Sequence, residues 1–293
     1  MPTHRNEAID VIKGFLILCV ITGHILLGSL DDNIIRYVIY SFHMPIFMFM
    51  SGYMINLNKL STQPIKDICL KYWNRMLKMW LVAFVIFTAY QLLHSLTLHK
   101  LLRLLYNPWY HLWYVPTLFS YIIICRLLFS RVNAKVSYLT LASIGLLYII
   151  TTNATHLPLP RWCDCTQLPF FALGLLLRNV EVKDRKPQFI YIAVFFVIIA
   201  ITRYLNIQSY GIIEMISLMA AIAFCIYPMI ARDSLPHSKV LSYIGRNSLN
   251  IYLWHMIPVV VMKDLISNTT LYYSLSFILL VSFLLFVKFV KQR

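Results

Sequence analysis

Asp10-Val11-Ile12-Lys13-Gly14-Phe15-Leu16-Ile17-Leu18-Cys19-Val20-Ile21-Thr22-Gly23-His24-Ile25-Leu26-Leu27-Gly28-Ser29-Leu30 contains an apolar run, Val11 to Leu30, interrupted by one cation and one imidazole. Such a run is as long as an α-helix needs to be to cross the hydrocarbon core of a bilayer, about 20 residues. From Lys13 to His24 a helix turns about 1100° and rises about 16 Å. The two side chains therefore share one face, the cation near the helix mouth and the imidazole deep inside. Asp10 falls on the same line and, three residues from Lys13, can neutralise it. Ionisable groups are costly in lipid, so a stripe of them points to function. The alternative is a histidine that hydrogen-bonds across helices for packing.

Outward from this stretch the apolar pattern repeats. Segments near 11–30, 34–57, 73–95, 110–130, 135–153, 162–179, 188–206, 210–231, 243–263 and 270–290 each approach spanning length. Between them lie short joints such as Asp31-Asp32-Asn33, Ser61 to Pro64 and Arg232 to His237. The chain is 60% hydrophobic and 13% charged, far from the composition of a soluble domain. Its mean hydropathy is +0.71. The expected fold is all-α: a polytopic helix bundle of about ten transmembrane helices, one integral-membrane domain over residues 1–293. No further extracytoplasmic domain is expected. A cleaved signal peptide is disfavoured by Glu7, Asp10 and Lys13 and by the length of the first run.

The formal net charge is +15. No basic patch coincides with a soluble fold, so nucleic acid is not an expected partner. Surplus Lys and Arg in a membrane protein face the cytoplasm and anionic lipid. With both termini inside and ten spans, 20 of the 26 Lys and Arg fall on the inner side. The outer side keeps Arg36, Lys100, Arg103, Arg161, Arg203 and Lys263. This predicts a multi-pass protein of the plasma or inner membrane, N-in and C-in. Trp73, Trp109, Trp113, Trp162, Tyr72 and Tyr110 sit where interfacial anchors belong. The cysteines read as packing residues and lack the clustering that zinc requires, so no metal is expected.

Chemistry-bearing residues recur along the spans. In the second, Pro45 removes a hydrogen bond to the Ser41 carbonyl and kinks the helix, so that His43 and Ser51 either line a cavity or accompany a packing kink. Lys71, Arg75 and Lys78 follow helical spacing into the third span and line one face. They suit a phosphate-rich ligand, or serve as an ordinary inner-side anchor. Glu214 lies well inside a span and calls for a cationic or hydrogen-bonding partner, Arg203 or a histidine. In the ninth span Asn247 and Ser248 are candidate helix caps, and His255, eight residues on, shares the face of Asn247.

These residues resemble the acyltransferase family 3 membrane proteins, a group that includes fucose 4-O-acetylase-like enzymes. The resemblance rests first on Lys13 and His24, a basic residue and a histidine separated by ten residues, and on Phe42-His43-Met44-Pro45-Ile46-Phe47 followed by Ser51-Gly52-Tyr53. Leu112-Trp113-Tyr114-Val115, Pro169-Phe170-Phe171-Ala172-Leu173-Gly174 and the stretch Ser248 to His255 extend it. It implies an O-acyltransferase moving an acetyl or similar group from cytoplasmic acetyl-CoA or another acyl-CoA to a hydroxyl. The acceptor would be a saccharide, lipid-linked saccharide or other envelope molecule. His24 would be the catalytic base or acyl carrier, with Lys13 beside it, and Arg75, Lys78 and Lys71 would hold the donor phosphates. At Lys78 the family pattern has arginine, and a lysine lacks the planar fork for bidentate phosphate binding. Ser51, Tyr114 or Lys13 would stabilise an oxyanion. A rival expectation is a carrier that exports an envelope saccharide or acylated compound without acyl transfer.

Overall fold

The computed structural model describes residues 6–93, 104, 111–155, 164–181, 186–205 and 212–291. The proposed anchors Trp109, Tyr110 and Trp162, the cations Lys100, Arg103, Arg161, Lys183 and Arg185, and Cys163 lie outside the described residues. Every regular element among the described residues is helical. They are α1 (Glu7–Ile25), α2 (Ile34–Tyr53), α3 (Leu57–Thr62), α4 (Ile65–Tyr72) and α5 (Lys78–Leu93). Then come α6 (Tyr114–Phe129), α7 (Ala134–Thr155), α8 (Leu168–Leu177), α9 (Ile190–Tyr204) and α10 (Ile212–Ala221). The chain closes with α11 (Tyr227–Ala231), α12 (Lys239–Arg246), α13 (Ser248–Trp254), α14 (Met256–Leu265) and α15 (Thr269–Lys291). Single π-helical turns, Trp73–Leu77 and Ile222–Ile226, join α4 to α5 and α10 to α11.

Four helical stretches among the described residues are long and apolar enough to cross a membrane: Glu7–Ile25, Ile34–Tyr53, Ala134–Thr152 and Ile212–Ala231. Several helices also turn apolar side chains outward. Leu139 and Leu147 on α7 are exposed, as are Ile190, Val194 and Val197 on α9. Water would penalise such faces, whereas lipid hydrocarbon does not. The chain is that of a membrane protein.

The helices form two compact units: one from Met1–Phe47 with Val180–Arg293, the other from Met48–Asn179. In the first unit α1 crosses α12 at two glycines. A Cβ on Gly14 would stand 2.1 Å from the Leu241 carbonyl oxygen, and one on Gly245 would stand 1.8 Å from that of Asp10. Only hydrogen fits at either place, so the two backbones touch, as small residues allow in membrane helix pairs. In the second unit the end of α2 meets α8 in the same way: Gly52 faces the Phe171 carbonyl and Gly174 that of Phe49.

Prolines account for several helix boundaries. Pro228 lacks the N–H that would bond the Phe224 carbonyl, and that oxygen accepts instead from the Gln188 N–H at 3.0 Å. Pro258 sits in the first turn of α14, where its missing N–H is tolerated, and the helical register loosens just before it, at His255. The single span expected over 243–263 is therefore three short helices, broken at Asn247 and His255. The first span is also shorter than expected. Helix α1 stops at Ile25 rather than near Leu30, because Leu26 swings to ψ 128° and Gly28 adopts φ +91°.

Candidate active site

Helix α1 is tied at both ends by residues of its own unit. At its start Asn6 accepts the Ile9 N–H at 3.1 Å, and Asp233 accepts the Ala8 N–H at 2.7 Å. These two carboxamide and carboxylate caps satisfy donors that no helical turn can reach, and the negative charge suits the helix dipole. His237 pairs with Glu7 at 2.6 Å on the same end. Asp10 is buried and Lys13 half-buried. Lys13 and His24 lie on one unbroken helix, so their separation of about three turns holds.

His24 stands in the last turn of α1, half-buried, rather than in the middle of a longer span. Four carbonyls at and beyond the helix end are met by side chains. The Lys263 ammonium donates to the His24 oxygen at 3.0 Å and the Tyr272 hydroxyl to that of Ile25 at 3.0 Å. Asn33 donates to the Leu27 oxygen at 3.2 Å, and the Arg36 guanidinium donates to Gly28. The Leu27 N–H in turn donates to the Tyr273 hydroxyl at 3.1 Å. Helices α2, α14 and α15 thus fix the backbone under the imidazole.

Around the ring itself the structure gathers two aromatic groups, with a third behind Tyr40. The Tyr40 hydroxyl is 3.4 Å from His24 Nδ1. The His255 ring centroid is 5.4 Å from that of His24, and the His43 centroid is 5.1 Å from that of Tyr40. His43 and His255 are both buried. His43 Nδ1 faces the Ile39 carbonyl at 2.6 Å, and His255 Nδ1 faces the Tyr252 carbonyl at 2.8 Å. A carbonyl only accepts, so Nδ1 carries the proton in both rings and Nε2 is the accepting nitrogen. His255 stands at the joint between α13 and α14 with helical backbone angles, its N–H donating to the Ile251 carbonyl at 2.9 Å. Asn247 caps backward, its side-chain amide donating to the Tyr243 carbonyl at 2.8 Å.

Glu214 is buried in the same unit and has hydrogen-bonding partners, as expected, though neither is Arg203 or a histidine. Its Oε1 accepts from the Thr202 hydroxyl and, at 3.3 Å, from Tyr37. Arg203 instead pairs with Asp31 at 3.3 Å. Thr202 and Arg203 are adjacent on α9, about 100° apart around the helix; Thr202 is buried and Arg203 half-buried. Hydroxyls satisfy this buried carboxyl without a second buried charge.

The second unit holds the remaining candidates. Ser51 Oγ and the Tyr114 hydroxyl share a hydrogen bond of 2.7 Å, so two residues quoted separately in the sequence form one polar pair. Lys71, Arg75 and Lys78 are all exposed. They do not share one α-helical face, because the π-turn Trp73–Leu77 lies between the first and the last of them. Its extra residue rotates the following helix by about 100°. Lys71 instead clusters with Arg75 and with Lys59 of α3. Its ammonium is held below the usual lysine range by partial burial and then by repulsion from those two charges. Such mutual repulsion favours a bound anion.

Tyr40, Arg36, Lys263 and Lys59 had no signal in the sequence strong enough to single them out. Their roles come from helix ends and a short helix whose positions the apolar pattern does not resolve.

A family model described as acyltransferase domain matches residues 6–290, nearly the whole chain. No curated protein and no solved structure matches.

Proposed function

The chain belongs to acyltransferase family 3, and from that premise we propose that it moves an acetyl or similar acyl group from a cytoplasmic acyl-CoA to a hydroxyl of a saccharide or other envelope molecule. It is a membrane acyltransferase by family. The observation that carries the finer reading is the His24 imidazole, set at a helix end with Tyr40 at its Nδ1 and His255 against its ring. An imidazole can take a proton near neutral pH, and the hydroxyl of Tyr40 orients it.

In this reading His24 removes the proton of the acceptor hydroxyl as that oxygen attacks the thioester carbonyl. The oxygen–carbon bond forms, the carbon–sulfur bond breaks, and the CoA thiolate leaves with the proton that His24 returns. A two-step route, with His24 itself acylated first, uses the same ring. Asp10 and Lys13 set the charge balance of the helix that carries it. Lys71, Arg75 and Lys78, with Lys59, attract the phosphates of the donor. Ser51 and Tyr114 supply hydroxyl donors for substrate oxygens.

The whole is one integral-membrane domain of ten spans with both termini inside, an orientation supported by the split of 20 inner against 6 outer cations. The α1 end bearing His24 then faces the outer half of the membrane, where an envelope acceptor would arrive.

The test is transfer of radiolabelled acetyl from acetyl-CoA by the purified protein in lipid nanodiscs. Free CoA and a labelled saccharide are expected, and His24→Ala should lower the rate at least about 100-fold. Parental rates in that variant would remove His24 from the mechanism. A parent that releases no CoA would favour the carrier reading.

A further inference from the structure

The C-terminal end of α1 gathers two cations next to His24. Lys263 donates to the His24 carbonyl at 3.0 Å, and Arg36 donates to Gly28. Cations at a helix C-terminus are favourable in themselves, and capping would explain either one alone. It does not explain the pair. Arg36 and Lys263 are close enough to repel each other. Neither forms an ion pair with a carboxylate among the described residues. The acids of the neighbouring loop are engaged elsewhere: Asp31 with Arg203 at 3.3 Å, and Asp32 with the Ser29 hydroxyl at 2.6 Å.

Donors remain at both side chains. An ammonium has three N–H groups and a guanidinium five, and each of these contributes to one carbonyl. Arg36 Nε is buried with no hydrogen-bond partner among the described residues. The Arg36 guanidinium carbon lies 5.4 Å from the centre of the Tyr40 ring, whose hydroxyl is 3.4 Å from His24 Nδ1. Lys263 is exposed and open to an arriving ligand. Two mutually repelling cations, with unused donors and one aromatic ring between them and the imidazole, suit an oxyanion. A neutral sugar hydroxyl would leave both charges uncompensated.

We propose that Arg36 and Lys263 form a binding site for a phosphate or carboxylate group carried by the acyl acceptor, so that the acceptor is an acidic saccharide or sugar phosphate rather than a neutral sugar. That the occupant is the acceptor rests on the acyl-transfer reading above; the anion site itself does not. A phospholipid headgroup offers the same phosphate chemistry, and the experiment separates the two sources.

Binding of glucose 1-phosphate, glucuronate and glucose is measured on the full-length protein in uncharged detergent micelles, without phospholipid and without acyl-CoA. Both anionic sugars should bind at least about tenfold more tightly than glucose, with affinity falling as sodium chloride is raised. Arg36→Gln and Lys263→Gln, each checked for a monodisperse folded peak, should lose about tenfold, and Arg36→Lys should recover part of it. Should a variant fail to fold, the charge preference and salt dependence of the parent still decide. Equal binding of glucose and its phosphate, or undiminished binding by folded variants, would overturn the site. In parallel, nanodiscs of phosphatidylcholine with and without phosphatidylglycerol test the lipid source. If only phosphatidylglycerol gives an effect that depends on Arg36 and Lys263, the anion is the lipid's and the acceptor assignment fails. A protein that binds the anionic sugars yet never transfers labelled acetyl overturns the acyl-transfer reading and leaves the site standing.

Discussion

The two units are fastened alike and equipped differently. Each has a helix crossing closed by facing glycines, Gly14 with Gly245 in one and Gly52 with Gly174 in the other. Yet Asp10, His43, Glu214 and His255, all buried and ionisable, belong to the first unit. The second instead presents Lys59, Lys71, Arg75 and Lys78 at its surface. Similar backbone packing thus supports different electrostatic settings, although the second unit also buries a histidine, His111. Proton transfer benefits from imidazoles held between helices, where each ring's partners are fixed. Capture of a polyanionic donor benefits from cations in water, whose attraction acts at a distance and is tuned by salt.

The most severe way to break the comparison is at the crossings. Gly245→Val places methyl groups where the Asp10 carbonyl stands, and Gly174→Val does the same against Phe49. Both should abolish the monodisperse peak in detergent size-exclusion chromatography; survival of either would mean that its crossing is not tight. Next in size is His24→Ala, with folding retained and acetyl transfer down at least about 100-fold. Arg75→Ala should raise the KM for acetyl-CoA about tenfold, with most of the loss in KM, and added salt should shrink the difference from the parent. If instead kcat falls alone, the division between a chemical unit and a capturing unit is wrong.

Smaller effects sharpen the contrast further. Thr202→Val removes a hydroxyl from the buried Glu214 carboxyl and should cost about 1–3 kcal/mol in denaturant unfolding. Ser51→Ala, which takes one partner from Tyr114, should cost about 1 kcal/mol. Adding Tyr114→Phe should then bring little further loss, because the pair is already broken.

Much of the frame is legible from apolar run length alone. Helices α1, α2, α7 and the stretch Ile212–Ala231 occupy segments that the sequence marks as apolar spans. Lys13 and His24 share a helix because nothing between them breaks one. What escapes is local. The end of α1 at Ile25 depends on Gly28 and on side chains from three other helices, and run length carries no trace of them. Hydrophobicity also conceals the break before Pro258, since Trp254, Met256 and Ile257 are apolar on either side of it. Charge makes Arg203 one candidate partner of Glu214, beside a histidine. The neighbouring Thr202 takes that place because it faces inward. The π-turn at Trp73–Leu77 changes the phase of Lys78 relative to Lys71, and no residue type announces it.

The carbonyl contacts of the buried imidazoles have a consequence for where protons can travel. At His43 and His255 the Nδ1 proton is committed to a backbone oxygen, so exchanging tautomers means abandoning a carbonyl that has no proton to offer in return. At His24 the same nitrogen faces a tyrosine hydroxyl, which donates as readily as it accepts. A rotation of that one O–H bond lets the hydroxyl match either tautomer of the ring. Of these three histidines, His24 is the one whose Nδ1 contact suits either tautomer, whereas His43 and His255 hold theirs against backbone oxygens.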